Sequence, residues 1–177
     1  ARLPKSVRSA LRDLLPQLAA TTATDGVLGL PLGGAALILA AAVGALDEQT
    51  LTNSVARLLT GSRQERRDAA TLIGRLSRPQ FTAALVTLIS DPHPNVRAEA
   101  AHALAMRVAS PDSESDLLAI AGLQRALTDP GARTPLAIAY GVGVAGTPSD
   151  EARELIAPLL DHPSALVREA TVSALHG

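Results

Sequence analysis

One phrase recurs along this chain, and it limits the possible folds more than any other feature. Its clearest copy is Leu88–Ala105, LISDPHPNVRAEAAHALA: an apolar stretch, an Asp-Pro turn, a Val-Arg pair, then alanines at helical spacing. LVREATVSAL repeats it, with Arg168 after Val167 and with Ala174 and Leu175 where Ala103 and Leu104 stand. ARTPLAIAY offers Arg133, Ala139 and Tyr140 for those places, and RRDAATLIG offers Arg67, Ile73 and Gly74. The four arginines lie 30, 36 and 35 residues apart, a period expected of stacked two-helix repeats. Three of them follow an apolar helix that runs into an Asp turn (LVTLISD, LQRALTD, IAPLLD). The fourth follows VARLLTG, where Gly61 stops the helix.

Composition agrees with helices packed at short range. The apolar fraction is 47%, yet the chain has one Phe, one Tyr and no Trp, so the core is built from Ala, Leu, Val and Ile. Ala and Leu head the helix-propensity scale, and small side chains let helix axes approach closely. The periodicity predicts helices over roughly 4–20, 32–46, 48–60, 63–77, 79–90, 94–108, 114–128, 135–145, 149–160 and 164–176. Ser62-x-x-Glu65 reads as a capping box. Thr134-Pro135 and Thr147-Pro148 read as a capping hydroxyl before a first-turn proline. ASPDSESD, residues 109–116, reads as a solvated loop.

These residues resemble HEAT repeats of the bacterial HEAT-like variety, with armadillo arrays as the nearest relatives. The resemblance is specific over Leu85–Arg107 and Leu155–Gly177, fair over Val55–Leu76 and weak over Leu123–Gly146; it does not reach Ala1–Leu46. It implies an all-α, right-handed α-solenoid of about four two-helix repeats (48–77, 79–108, 114–145, 149–177) after an N-terminal helical extension, 1–47. It also implies a ladder between repeats, in which a turn Asp meets the Arg of the second helix. The matching positions are Asp91 with Arg97 and Asp161 with Arg168, while Asp129 with Arg133 departs from the pattern.

Several function classes find no support. Gly141-x-Gly143-x-x-Gly146 has the spacing of a dinucleotide fingerprint but stands at a helix end rather than between strand and helix, so no cofactor is expected. His93, His102, His162 and His176 include no i, i+4 pair, there is no Cys, and no metal site is expected. No nucleophile motif occurs, and the chain reads as no enzyme. A bilin lyase of the HEAT-like type is a third alternative, for which no catalytic residue can be named.

Net charge is −1, with Lys5 the only lysine beside the arginines. The strongest local charge is Arg57–Arg78, where Arg57, Arg63, Arg66, Arg67, Arg75 and Arg78 face Glu65 and Asp68. It offers phosphate or nucleic-acid binding as the alternative function, though Phe81 and Tyr140 provide no stacking platform. Residues 26–46 carry no charge over 21 positions, but Pro31, Gly33 and Gly34 leave a helix too short to span a membrane. That segment reads as a buried helix. No leader pattern opens the chain, which points to the cytoplasm.

The expected function is therefore protein–protein binding, as a scaffold or sensor module of a larger bacterial protein. The partner is a protein, a peptide or a neighbouring domain, met on the face lined by the second helices. Counted from the repeat arginine, the core columns fall three, six and seven places on, as Ala100, Ala103 and Leu104 or Thr171, Ala174 and Leu175. The columns between them mark Leu72, Arg75, Glu99, His102, Ile138 and Ser173 as partner-binding residues.

Overall fold

The computed structural model describes Ser9, Asp13 and residues 48–76, 78–109, 116–144, 146 and 148–176. The apolar segment 26–46 and Thr147 lie outside the described residues. The chain divides into two compact units, Ala1–Leu76 and Ser77–Gly177. Every regular element among the described residues is helical.

In the first unit, α1 (Glu48–Leu59) and α2 (Arg63–Leu76) form one helix pair. The capping box forms as expected. The Ser62 N–H donates to Glu65 Oε2 at 2.8 Å, and the Glu65 N–H reaches back to Ser62 Oγ at 3.4 Å. The Ser62 backbone bond holds the Glu65 carboxyl below the usual carboxylate range, with Ser62 Oγ and Arg57, at 3.1 Å, adding to it. Leu51, Val55 and Leu58 of α1, with Ala69, Ala70, Leu72 and Ile73 of α2, are buried.

The second unit holds three more pairs. A 3-10 turn (Pro79–Phe81) leads into α3 (Thr82–Leu88), followed by α4 (Pro94–Ala109). Next come α5 (Leu117–Ala126) and α6 (Arg133–Val144). Last are α7 (Asp150–Ile156), extended by a 3-10 turn (Ala157–Asp161), and α8 (Ala165–His176). Asp116 caps α5 by accepting from the Ala119 N–H at 3.1 Å, and Ser149 caps α7 by accepting from Ala152 N–H at 3.2 Å.

Thr134 is not the cap expected of it. It lies inside α6, and its hydroxyl donates to Asp129 at 2.8 Å. Carbonyls left over at helix ends find donors on other helices. Arg125 donates to Val86 O at 2.8 Å, Arg153 to Leu175 O at 2.7 Å, and Ser149 Oγ to Val108 O at 3.2 Å.

The second helices α4, α6 and α8 pack side by side, and the closeness of that packing comes from missing side chains. A Cβ added to Gly141 would stand 2.8 Å from Ala105 Cβ and 2.7 Å from His102 O. One repeat on, a Cβ at Gly143 would stand 3.4 Å from Ala174 Cβ. Gly141 thus sets how closely α6 approaches α4, whereas Gly143 stands at ordinary contact distance from Ala174, and Gly146 lies in the left-handed region at φ 80°. Gly141→Ala is expected to destabilise the protein by roughly 1–3 kcal/mol, and Ala103→Leu by a similar amount, through overpacking. Thermal or denaturant unfolding measures both.

Candidate partner-binding face

The position of the repeat arginine follows from the turn before each second helix. Arg97 Nη1 donates to Pro92 O at 3.2 Å and to Asp91 O at 3.1 Å. Arg168 Nη1 does the same to Pro163 O at 2.9 Å and His162 O at 2.8 Å. Arg66 Nη1 donates to Gly61 O at 2.9 Å, five residues back like the other two. The arginine of α2 is therefore Arg66, not Arg67.

In α6 no arginine stands at the equivalent position. Asp91 Oδ1 accepts from the N–H two residues on, at 2.8 Å, and Asp129 Oδ1 accepts from Gly131 N–H at 3.0 Å in the same way. Six places after Asp91 stands Arg97, and six after Asp129 stands Pro135. Helix contacts agree. Ala105 and Gly143, each eight places after Arg97 or Pro135, meet Gly141 and Ala174, each six places after Pro135 or Arg168.

This register corrects two expected contact residues. Leu72 and Ile138 are 0% exposed. Leu72 belongs to the six-place column with Ala103, Gly141 and Ala174, and Ile138 to the three-place column with Ala69, Ala100 and Thr171. Both columns face the core, so neither side chain lines a surface. The true five-place column reads Thr71, His102, Tyr140 and Ser173. Of the other expected residues, Arg75 and Ser173 are exposed, and Glu99 and His102 are half-buried.

Within the second unit the open face comprises Asn95, Glu99, His102 and Met106 of α4 and Arg133, Ala137, Tyr140 and Val144 of α6. Tyr140 is 57% and Val144 64% exposed. They stand one turn apart on one face of α6. His102 Nδ1 donates to Ala137 O at 3.2 Å, which pins the imidazole between the two helices. Counting from the Asp-Pro turns instead of from the arginines would have found Tyr140 and Val144.

Arg97 joins neighbouring repeats, though not to the partner expected. Its Nε donates to Asp129 Oδ2 at 2.6 Å, so the ladder runs from one second helix to the turn of the next repeat. Asp161 is exposed, and the residue equivalent to Asp91 is His162, whose Nδ1 accepts from Ser164 N–H at 3.1 Å. Burial alone would raise the Asp129 pKa. The bonds from Arg97, Gly131 N–H and the Thr134 hydroxyl outweigh it and hold the carboxyl below its usual range.

A second ion pair, Arg107 Nε to Asp116 Oδ2 at 3.1 Å, closes the opposite end of α4, and the Thr82 hydroxyl joins it at 2.9 Å. Among the described residues no group of three or more His, Asp or Glu is placed to hold a metal ion. No helix there is long and apolar enough to cross a membrane.

The sequence model of HEAT repeats matches residues 51–139, half of the chain. The chain belongs to the HEAT-repeat family. HEAT repeats generally serve as protein-interaction scaffolds. No curated protein matches the chain.

Asp129→Ala is expected to cost about 1.5–3 kcal/mol at neutral pH, because it removes a charge-assisted bond between HEAT repeats. The depressed carboxyl contributes stability above its unfolded pKa, near about 4, and loses it as pH falls through the lower folded value. The gap between wild type and variant in denaturant unfolding therefore narrows below about pH 4.

Proposed function

We propose that the second unit is a non-enzymatic module that binds a polypeptide partner on the face lined by α4, α6 and α8. The observation that carries this reading is the exposure of Tyr140 and Val144 side by side on α6. Tyr140 and Val144 stand one turn apart, and adjoining exposed apolar side chains of this kind form the cores of interfaces. Met106 and His102, both half-buried, hold the equivalent positions of α4. Glu99, Arg133 and Ser173 supply polar groups around that patch, as the rims of interfaces do. Arg133, at the first turn of α6, adds a positive charge beside the patch.

The phosphate-binding alternative has less to work with. Arg57 is bonded to Glu65 and Arg66 to Gly61 O, so two of its cations are engaged within their own helix pair.

With a partner in hand, Tyr140→Ser and Val144→Asp are each expected to weaken binding by roughly tenfold or more. Leu118→Asp, an exposed change on the first helix α5, should leave it unaltered. Titration calorimetry on variants with unchanged circular dichroism decides the matter. Full affinity in both α6 variants would move the contact off this face.

A further inference from the structure

We infer that the seam between α6 and α8 is a compliant joint, at which the α7–α8 pair shifts as a body against a fixed platform of α3–α6. This goes beyond the binding reading above and does not depend on it. The two seams of the second unit differ in kind. Between the α3–α4 pair and the α5–α6 pair, side chains reach across at both ends and in the middle. Arg97 bonds Asp129, and Arg107 and Thr82 bond Asp116. His102 Nδ1 donates to Ala137 O, and Arg125 donates back to Val86 O. Between the α5–α6 pair and the α7–α8 pair, no side-chain hydrogen bond or ion pair is made among the described residues.

Counted from Asp91, Asp129 and His162, each bond-making position carries a residue that cannot make its bond at the second seam. Pro135 stands where Arg97 does and Pro158 where Arg125 does, and neither ring has a donor. Tyr140 stands where His102 does and is exposed. His162 stands where Asp129 does. Asp129 has two oxygens, one for the Gly131 N–H of its own turn and one for Arg97. His162 accepts from the Ser164 N–H with Nδ1, which leaves a ring N–H and no second acceptor. The α7–α8 pair is tied at one end only. Ser149 Oγ donates to Val108 O at 3.2 Å and the Ser149 N–H to Ala109 O at 3.4 Å, both on α4. At the other end the turn at His162 has no such bond. Dispersion contact between helices tolerates the small slides that a directional bond resists. The joint therefore sets the width of the open face between α6 and α8, while the spacing of His102 and Tyr140 stays constant.

Pro94, Ala132 and Ala165 are equivalent, exposed positions at the starts of α4, α6 and α8, in a chain without cysteine. In the full chain, nitroxide labels on Pro94→Cys and Ala132→Cys report the first seam. Labels on Ala132→Cys and Ala165→Cys report the second. Pulsed electron spin resonance gives the distribution of each distance. The second should be wider than the first by about 1–2 Å or more, the size of shifts at packed helix interfaces. Rebuilding the clasp with Pro135→Arg and His162→Asp should narrow the second by a similar amount. Removing it from the first seam with Arg97→Gln should widen the first. Equal widths in the native chain would overturn the inference. A fraying chain end would widen the second distribution whatever stands at positions 135 and 162, so an unnarrowed distribution in a folded, rebuilt chain would overturn it too. Arg97→Gln decides the matter without the rebuilt chain: a first distribution that stays narrow would show that the clasp does not order a seam.

Discussion

The close approach of one second helix to the next, with Gly141 against Ala105 and Gly143 near Ala174, is the constraint on which the second unit rests. At Ala105 a side chain larger than a methyl group would run into Gly141, and most of the other residues buried along α4 are likewise alanines: Ala98, Ala100, Ala101, Ala103 and Ala109. Larger buried residues lie elsewhere: Leu104 of α4 turns toward Gly122 of α5, and Leu123 and Ile156 stand on the first helices α5 and α7. Close packing of small residues gives dispersion contact over a long seam instead of large apolar side chains. A chain with one Phe and no Trp can hold together in this way.

Two carboxylates fix how the helices are aligned along that seam. Asp116 precedes α5 and Asp129 follows it, and they pair with Arg107 near the end of α4 and Arg97 near its start. The antiparallel course of α4 and α5 is thus tied at both ends. Asp129 also accepts from Gly131 and Thr134, so one carboxylate shapes the turn and holds the preceding repeat. The clasps lie at the helix ends and leave the middle of the second helices open. His102, bonded to Ala137 O, and Tyr140 are presented there, with Val144 at the end of α6.

Much of this was legible in the sequence, because helical periodicity and cap chemistry are local. The helix pairs, the Ser62–Glu65 box and the core columns of α4 and α8 all follow from residues a few places apart. The register of α2 and α6 was not legible from the arginines. RRDAA presents two adjacent arginines, and only the bond to Gly61 O separates Arg66 from Arg67. In α6 the equivalent position is Pro135, so counting from Arg133 placed Ile138 on the surface when it is core. A shift of one residue turns a helix face by about 100°, enough to exchange core for solvent. The ladder was misread for a related reason: Arg97 reaches the turn of the following repeat, a contact 32 positions away. No local pattern records such a contact.

The register of the second helices is tested most directly by cross-linking, in a chain that has no cysteine of its own. Gly143→Cys and Ala174→Cys would place two Cβ atoms about 3.4 Å apart, close to the separation a disulfide requires. Mild oxidation of that double variant, followed by alkylation and mass spectrometry, should show an intramolecular disulfide and no alkylated thiol. Two freely alkylated cysteines in a folded double variant would mean that α6 and α8 do not meet at these positions, and the assignment of core and open faces would fail with them.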